Sequence, residues 1–69
     1  MAEIDLFRAS SNTWVTMRSW GTRSYSIVLK DGKYLLFRDT FGHGRRLIQS
    51  NIASFEEAKT RLLMEVARL

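Results

Sequence analysis

The chain has 69 residues, no cysteine, one histidine and a formal net charge of +4. That length makes one domain at most, and so few cysteines and histidines exclude a disulfide framework and a zinc site of the usual kind. A core this small has a poor surface-to-volume ratio, so the chain must use its apolar residues efficiently or gain buried area by forming a homodimer.

Residues 1–12 open with Ile4, Leu6 and Phe7 and run into Ser10-Ser11-Asn12. The alternation of Ile4 and Leu6 permits a short strand, and the polar triplet reads as loop, so these residues are expected as a partly ordered N-terminal arm. With Glu3 and Asp5 and no long apolar stretch, the arm is no signal peptide. No apolar run anywhere approaches the roughly 20 residues of a membrane span. Together with the absence of cysteine, this points to a cytoplasmic protein with no membrane partner.

Residues 13–69 form the expected domain. From Trp14 to Trp20 the residues alternate, with Trp14, Thr16, Arg18 and Trp20 on one side and Val15 and Met17 on the other. β-Branched and aromatic residues favour a strand there, and Gly21-Thr22-Arg23 supplies the turn that ends it. Ser24 to Lys30 and Lys33 to Asp39 flank Asp31-Gly32, the strongest hairpin signal in the chain, because both residues of such a turn must take positive φ. A two-residue loop sets Leu29 opposite Tyr34, Ile27 opposite Leu36 and Tyr25 opposite Arg38. The other face then carries Ser24, Ser26, Val28, Lys30, Lys33, Leu35, Phe37 and Asp39. A three-residue loop with a bulge would shift this register; the two-residue form matches apolar to apolar.

Thr40-Phe41-Gly42-His43-Gly44 is the next turn, and Arg45 to Ile52 the last strand, with Arg46, Ile48 and Ser50 on one side and Leu47 and Gln49 on the other. Ser54-Phe55-Glu56-Glu57-Ala58 then opens a helix. Ser54 is its N-cap, Glu57 completes a capping box, and both glutamates sit at the positive end of the helix dipole. Phe55, Ala58, Leu62, Val66 and Leu69 make one apolar stripe, widened by Leu63. The fold class is therefore α+β: an antiparallel meander of three or four strands with one C-terminal helix packed on one face.

The positive charge lies in the sheet. Residues 14–53 total +5, residues 1–13 total −1 and residues 54–69 are neutral. A localised basic patch suits nucleic acid or an acidic protein surface, against the plainer reading of solubility. Arg38, Arg45 and Arg46 flank one turn and Lys30 and Lys33 the other, where forked and pointed cations suit phosphate oxygens or, equally, protect sheet edges from stray pairing. Trp14 and Trp20 bracket Arg18, as interface anchors or as core; core is the favoured reading for at least one of them. If the helix covers the face of Tyr25, Ile27, Leu29, Tyr34 and Leu36, then Val28, Leu35 and Phe37 are left outside as a partner or dimer surface.

Nothing in the chain suggests catalysis. His43 lies between turn glycines with no serine or cysteine nucleophile motif beside it. The glycines do not open a helix and so do not make a phosphate-binding loop, and no carboxylate pair stands in apolar surroundings. No cofactor is implied.

From about Arg23 onward, the strand pair around Asp31-Gly32, the strand with Leu47 and Ile48 and the helix entry at Ser54-Phe55-Glu56-Glu57-Ala58 resemble two families of small DNA-binding domain. These are the arm-site domain of tyrosine integrases and the plant ethylene-response-factor type. The resemblance implies a three-stranded sheet inserted in the DNA major groove. It covers about two-thirds of the chain, omits the stretch with Trp14 and Trp20, and lacks the arginine- and tryptophan-rich strand signature of the plant family. The sequence thus predicts a small non-enzymatic module, such as a mobile element encodes. Arg18, Lys30, Lys33, Arg38, Arg45 and Arg46 would meet nucleic-acid phosphates. The alternative is a phage-type inhibitor or adaptor that binds protein through Trp14, Trp20 and Phe37.

Overall fold

The computed structural model describes residues 4–68; residues 1–3 of the expected arm and Leu69 of the expected stripe lie outside them. Five strands, β1 (Leu6–Ser10), β2 (Thr13–Thr16), β3 (Arg23–Lys30), β4 (Lys33–Thr40) and β5 (Gly44–Ile52), precede one helix, α1 (Phe55–Ala67). They form a single antiparallel sheet in the order β1-β2-β3-β4-β5. The α+β meander with a C-terminal helix is as the sequence predicts, but the sheet is wider than the three or four strands expected. The extra strand comes from the arm: Leu6, Phe7 and Arg8 pair with Thr16, Val15 and Trp14, with a register shift before Ser10.

The β3–β4 hairpin has the predicted two-residue loop. Asp31 and Gly32 take φ of 52° and 76°, the positive values this turn needs, and Leu29, Ile27 and Tyr25 face Tyr34, Leu36 and Arg38. The second strand is shorter than its alternation suggests. After Thr16 the chain leaves the sheet and returns through a tight turn closed by Trp20 and Arg23, which exchange backbone hydrogen bonds of 2.8 and 3.1 Å.

β5 departs from simple alternation. Phe37 pairs with Leu47 and Leu36 with Gln49, which leaves Ile48 extra, and a second irregularity precedes Ile52 opposite Tyr34. Asn51 absorbs part of the bend with φ of 57°, a conformation asparagine tolerates better than most residues. Consequently Ile48 packs against the core, and Gln49 also turns to the helix side, where its Oε1 accepts a 2.9 Å hydrogen bond from Arg61 Nε.

Ser54 caps α1: its backbone is extended, and its Oγ accepts from the Glu57 N–H at 3.2 Å, a cap worth about 1 kcal/mol. The helix lays Ala58 and Leu62 on the sheet, and these two close a core with Tyr25, Ile27, Leu36 and Ile52. Phe55 and Val66 extend the contact at either end. Among the described residues no helix is long and apolar enough to cross a membrane.

Candidate functional site

The meander decides which side chains meet. The β2–β3 loop, the β4–β5 loop and the C-terminal end of α1 all fall at one end of the sheet. Phe41 N–H donates to the Thr22 carbonyl at 2.8 Å, and His43 N–H to the Thr40 carbonyl at 2.9 Å, so the two loops are tied together and the second is tightly closed. Gly42 takes φ of 83° there, which a residue with a side chain rarely adopts. Phe41 projects from this end, 84% exposed.

Five arginines gather around these loops. The Arg18 guanidinium lies 5.1 Å from the ring centroid of Trp20, whose ring in turn meets Tyr25 edge-on at 5.8 Å. Arg23 opens β3 beside Trp20. Arg38 faces Tyr25 on one side and Arg46 on the other, so two like charges oppose each other directly on neighbouring strands, an arrangement that costs stability when nothing neutralises it. Arg45, on the opposite face, lies 5.1 Å from the Phe37 ring centroid and contacts Asp39 at 3.2 Å. The remaining nearby carboxylate, Glu65, is engaged by Arg61 and Arg68. Among the described residues, Arg18, Arg23, Arg38 and Arg46 contact no carboxylate. The Arg38 Nε and the Tyr25 hydroxyl are buried without hydrogen-bond partners. This end can therefore offer several guanidinium forks to an external polyanion.

Burial pushes the Tyr25 hydroxyl above its ordinary value of 10.0. Glu65 adds to the rise, and Arg38 and Arg23 oppose it. A raised phenol pKa means that folding favours the neutral form, so this contribution is full below the unfolded-state value and is lost as pH climbs through the folded one. Stability measured by chemical denaturation should fall above pH ~10, and Tyr25→Phe should flatten the fall. An equal fall in the variant would assign it to other groups.

The six cations expected to meet phosphates do not lie on one surface of the sheet. Arg18, Arg38, Arg45 and Arg46 come to the loop end, although Arg38 and Arg46 point to the helix side and Arg45 to the open face. Lys30 and Lys33 face each other at the far end, beside the Asp31-Gly32 turn. The middle of the open face is apolar. Its strand parity explains this: odd residues of β4 face one way and even residues the other, so Lys33 and Arg38 must diverge.

Trp14, Trp20 and Phe37 likewise form no common anchor surface. Trp14 packs on Phe55 and Tyr34, with ring centroids 4.9 and 6.2 Å away, and both tryptophans line the helix-side core. Phe37 lies on the opposite face, opposite Ser26 and Leu47. His43 is an exposed loop residue. Arg23 belongs to β3 and not to the turn its Gly21-Thr22 neighbours suggest; its parity with Tyr25 is the signal in the sequence. No family model, curated protein or solved structure matches the chain.

Proposed function

We propose that this protein is a non-enzymatic binding module that grips nucleic-acid phosphates through its arginine-rich end. The observation that carries the reading is the convergence of Arg18, Arg23, Arg38 and Arg46 without carboxylate partners among the described residues, two of them opposed across a strand pair. Phosphates would relieve that repulsion and supply acceptors in the bidentate geometry guanidinium prefers. Arg45 extends the cationic rim to the other face. Phe41, on the projecting loop, is placed to stack on a base or wedge between bases. In this reading Lys30 and Lys33 lie too far from the loops to share a short site.

Fluorescence anisotropy with a labelled duplex and a labelled single strand, at two salt concentrations, tests this directly. Binding should weaken steeply with salt, because bound phosphates release counterions. Arg45→Ala with Arg46→Ala should weaken binding to either probe and lower the logarithmic salt slope by about one per lost phosphate contact, with the circular dichroism unchanged. Absence of binding to both probes at low salt would end the proposal.

A further inference from the structure

The helix occupies one face of the sheet, and the described residues place no element over the other. A row of paired residues, Phe7, Val15, Ser26, Phe37 and Leu47, crosses that open face through all five strands. Val28 and Leu35 add a second, parallel row. Phe7 and Leu47 are each 48% exposed. Ser26, small and itself fully buried, is closed over by its larger neighbours in the middle of the row. A soluble monomer seldom leaves such a continuous apolar surface to water.

We infer that this face is the interface of a homodimer, formed by a second copy packing sheet to sheet. The size is right. The five strands hold 34 residues, which at ~3.3 Å per residue and ~4.8 Å between strands make a face of roughly 540 Å2, the scale of the smaller specific interfaces. The need is also there, since the six buried apolar side chains among the described residues are a small core for an independent domain.

Charge selects the arrangement. A two-fold axis parallel to the strands and midway between β3 and β4 would set Lys30 of each copy against the partner's Lys33. An axis running across the strands at the level of Ile27 and Leu36 reverses the strand direction instead. Lys33 then faces the partner's Asp39, Lys30 faces the partner's Ser24, and Phe37 faces the partner's Leu35. Val28 faces the partner's Ser26 position, before the usual offset of about 30° between aligned sheets. Such a self-complementary patch is what a two-fold interface requires. The inference does not rest on nucleic-acid binding; it leaves the helix-side arginines of both copies free at opposite ends of the dimer and takes only Arg45, which lies over Phe37 and against Asp39, into the contact.

Sedimentation of the full chain over a range of concentrations should show a species of twice the 8.0 kDa chain mass. Leu47→Glu and Phe37→Ser, each present twice per dimer, should raise its dissociation constant by roughly tenfold or more while the circular dichroism keeps the folded signature. Leu47 stands on an edge strand and is half exposed, so its variant reports on association even if Phe37→Ser proves unstable. Lys33→Asp should weaken the dimer, and adding Asp39→Lys should restore it. A wild-type protein that stays monomeric at its solubility limit, or a dimer indifferent to Leu47→Glu, would overturn the inference. Disruption by Leu47→Glu without rescue by the charge exchange would overturn the antiparallel arrangement.

Discussion

Leu36→Ala should leave the protein largely unfolded or close to it under conditions where the wild type is folded. Leu36 has no exposed surface. It stands between Ile27 on β3 and Gln49 on β5, on the face that Ala58 and Leu62 cover. Truncating such a leucine removes its transfer free energy and opens a cavity that the rigid sheet cannot close, at a cost of about 2–5 kcal/mol. A domain of this size has a total stability of only about 3–10 kcal/mol at 0.05–0.15 per residue. Its neighbour supplies the control. Leu35 lies one residue away in the chain but on the open face and is only half-buried in the single chain, so at concentrations that keep the chain monomeric Leu35→Ala should cost roughly 1 kcal/mol, the loss of three partly buried carbon atoms. Urea denaturation followed by far-ultraviolet circular dichroism separates the two. Equal losses from both substitutions would mean that the helix side does not hold the core.

That contrast between adjacent leucines was readable in the sequence, because strand parity and a two-residue turn are local. Asp31-Gly32 fixed the register, the register fixed the faces, and the Ser54 cap with its apolar stripe fixed the helix that covers one of them. What could not be read depends on contacts distant in the chain. The pairing of β1 owes little to its own residues, since Arg8, Ala9 and Ser10 have no strand pattern; β2 provides the ladder that holds them. The bulges in β5 carry almost no local mark beyond Asn51, yet they decide that Gln49 meets Arg61 instead of open solvent. The arginines gave a mixed message. Arg38 pairs with Tyr25 and so faces away from Lys33, and the sequence itself shows Arg38, Arg45 and Arg46 flanking one turn; only the joining of the β2–β3 and β4–β5 loops brings Arg18 and Arg23 to that end.

Trp14→Ala should be the second large loss, on the order of 3–5 kcal/mol. The Trp14 ring sits in a three-ring cluster at the start of the helix: it lies 4.9 Å from Phe55 and 6.2 Å from Tyr34, and those two are 5.9 Å apart. Tilted and edge-on geometries such as these add about 0.5–1.5 kcal/mol per pair beyond the area buried. β2 has only four residues, so losing its one large helix-side ring also weakens the attachment of β1, which pairs with the sheet solely through β2. A double-mutant cycle with Phe55→Ala should return a coupling of about 0.5–1.5 kcal/mol, because each ring covers the other. Arg8, 5.8 Å from the Trp14 ring centroid, contributes less from its exposed position. Had Trp14 been an anchor for an external partner, its removal would leave the denaturation midpoint in place and weaken binding alone. The ring cluster requires the reverse: the midpoint falls, and any loss of nucleic-acid affinity disappears once the comparison is restricted to conditions where the variant is folded, since the Trp14 ring packs on Tyr34 and Phe55 and not on Arg18, Arg23, Arg38, Arg45 or Arg46.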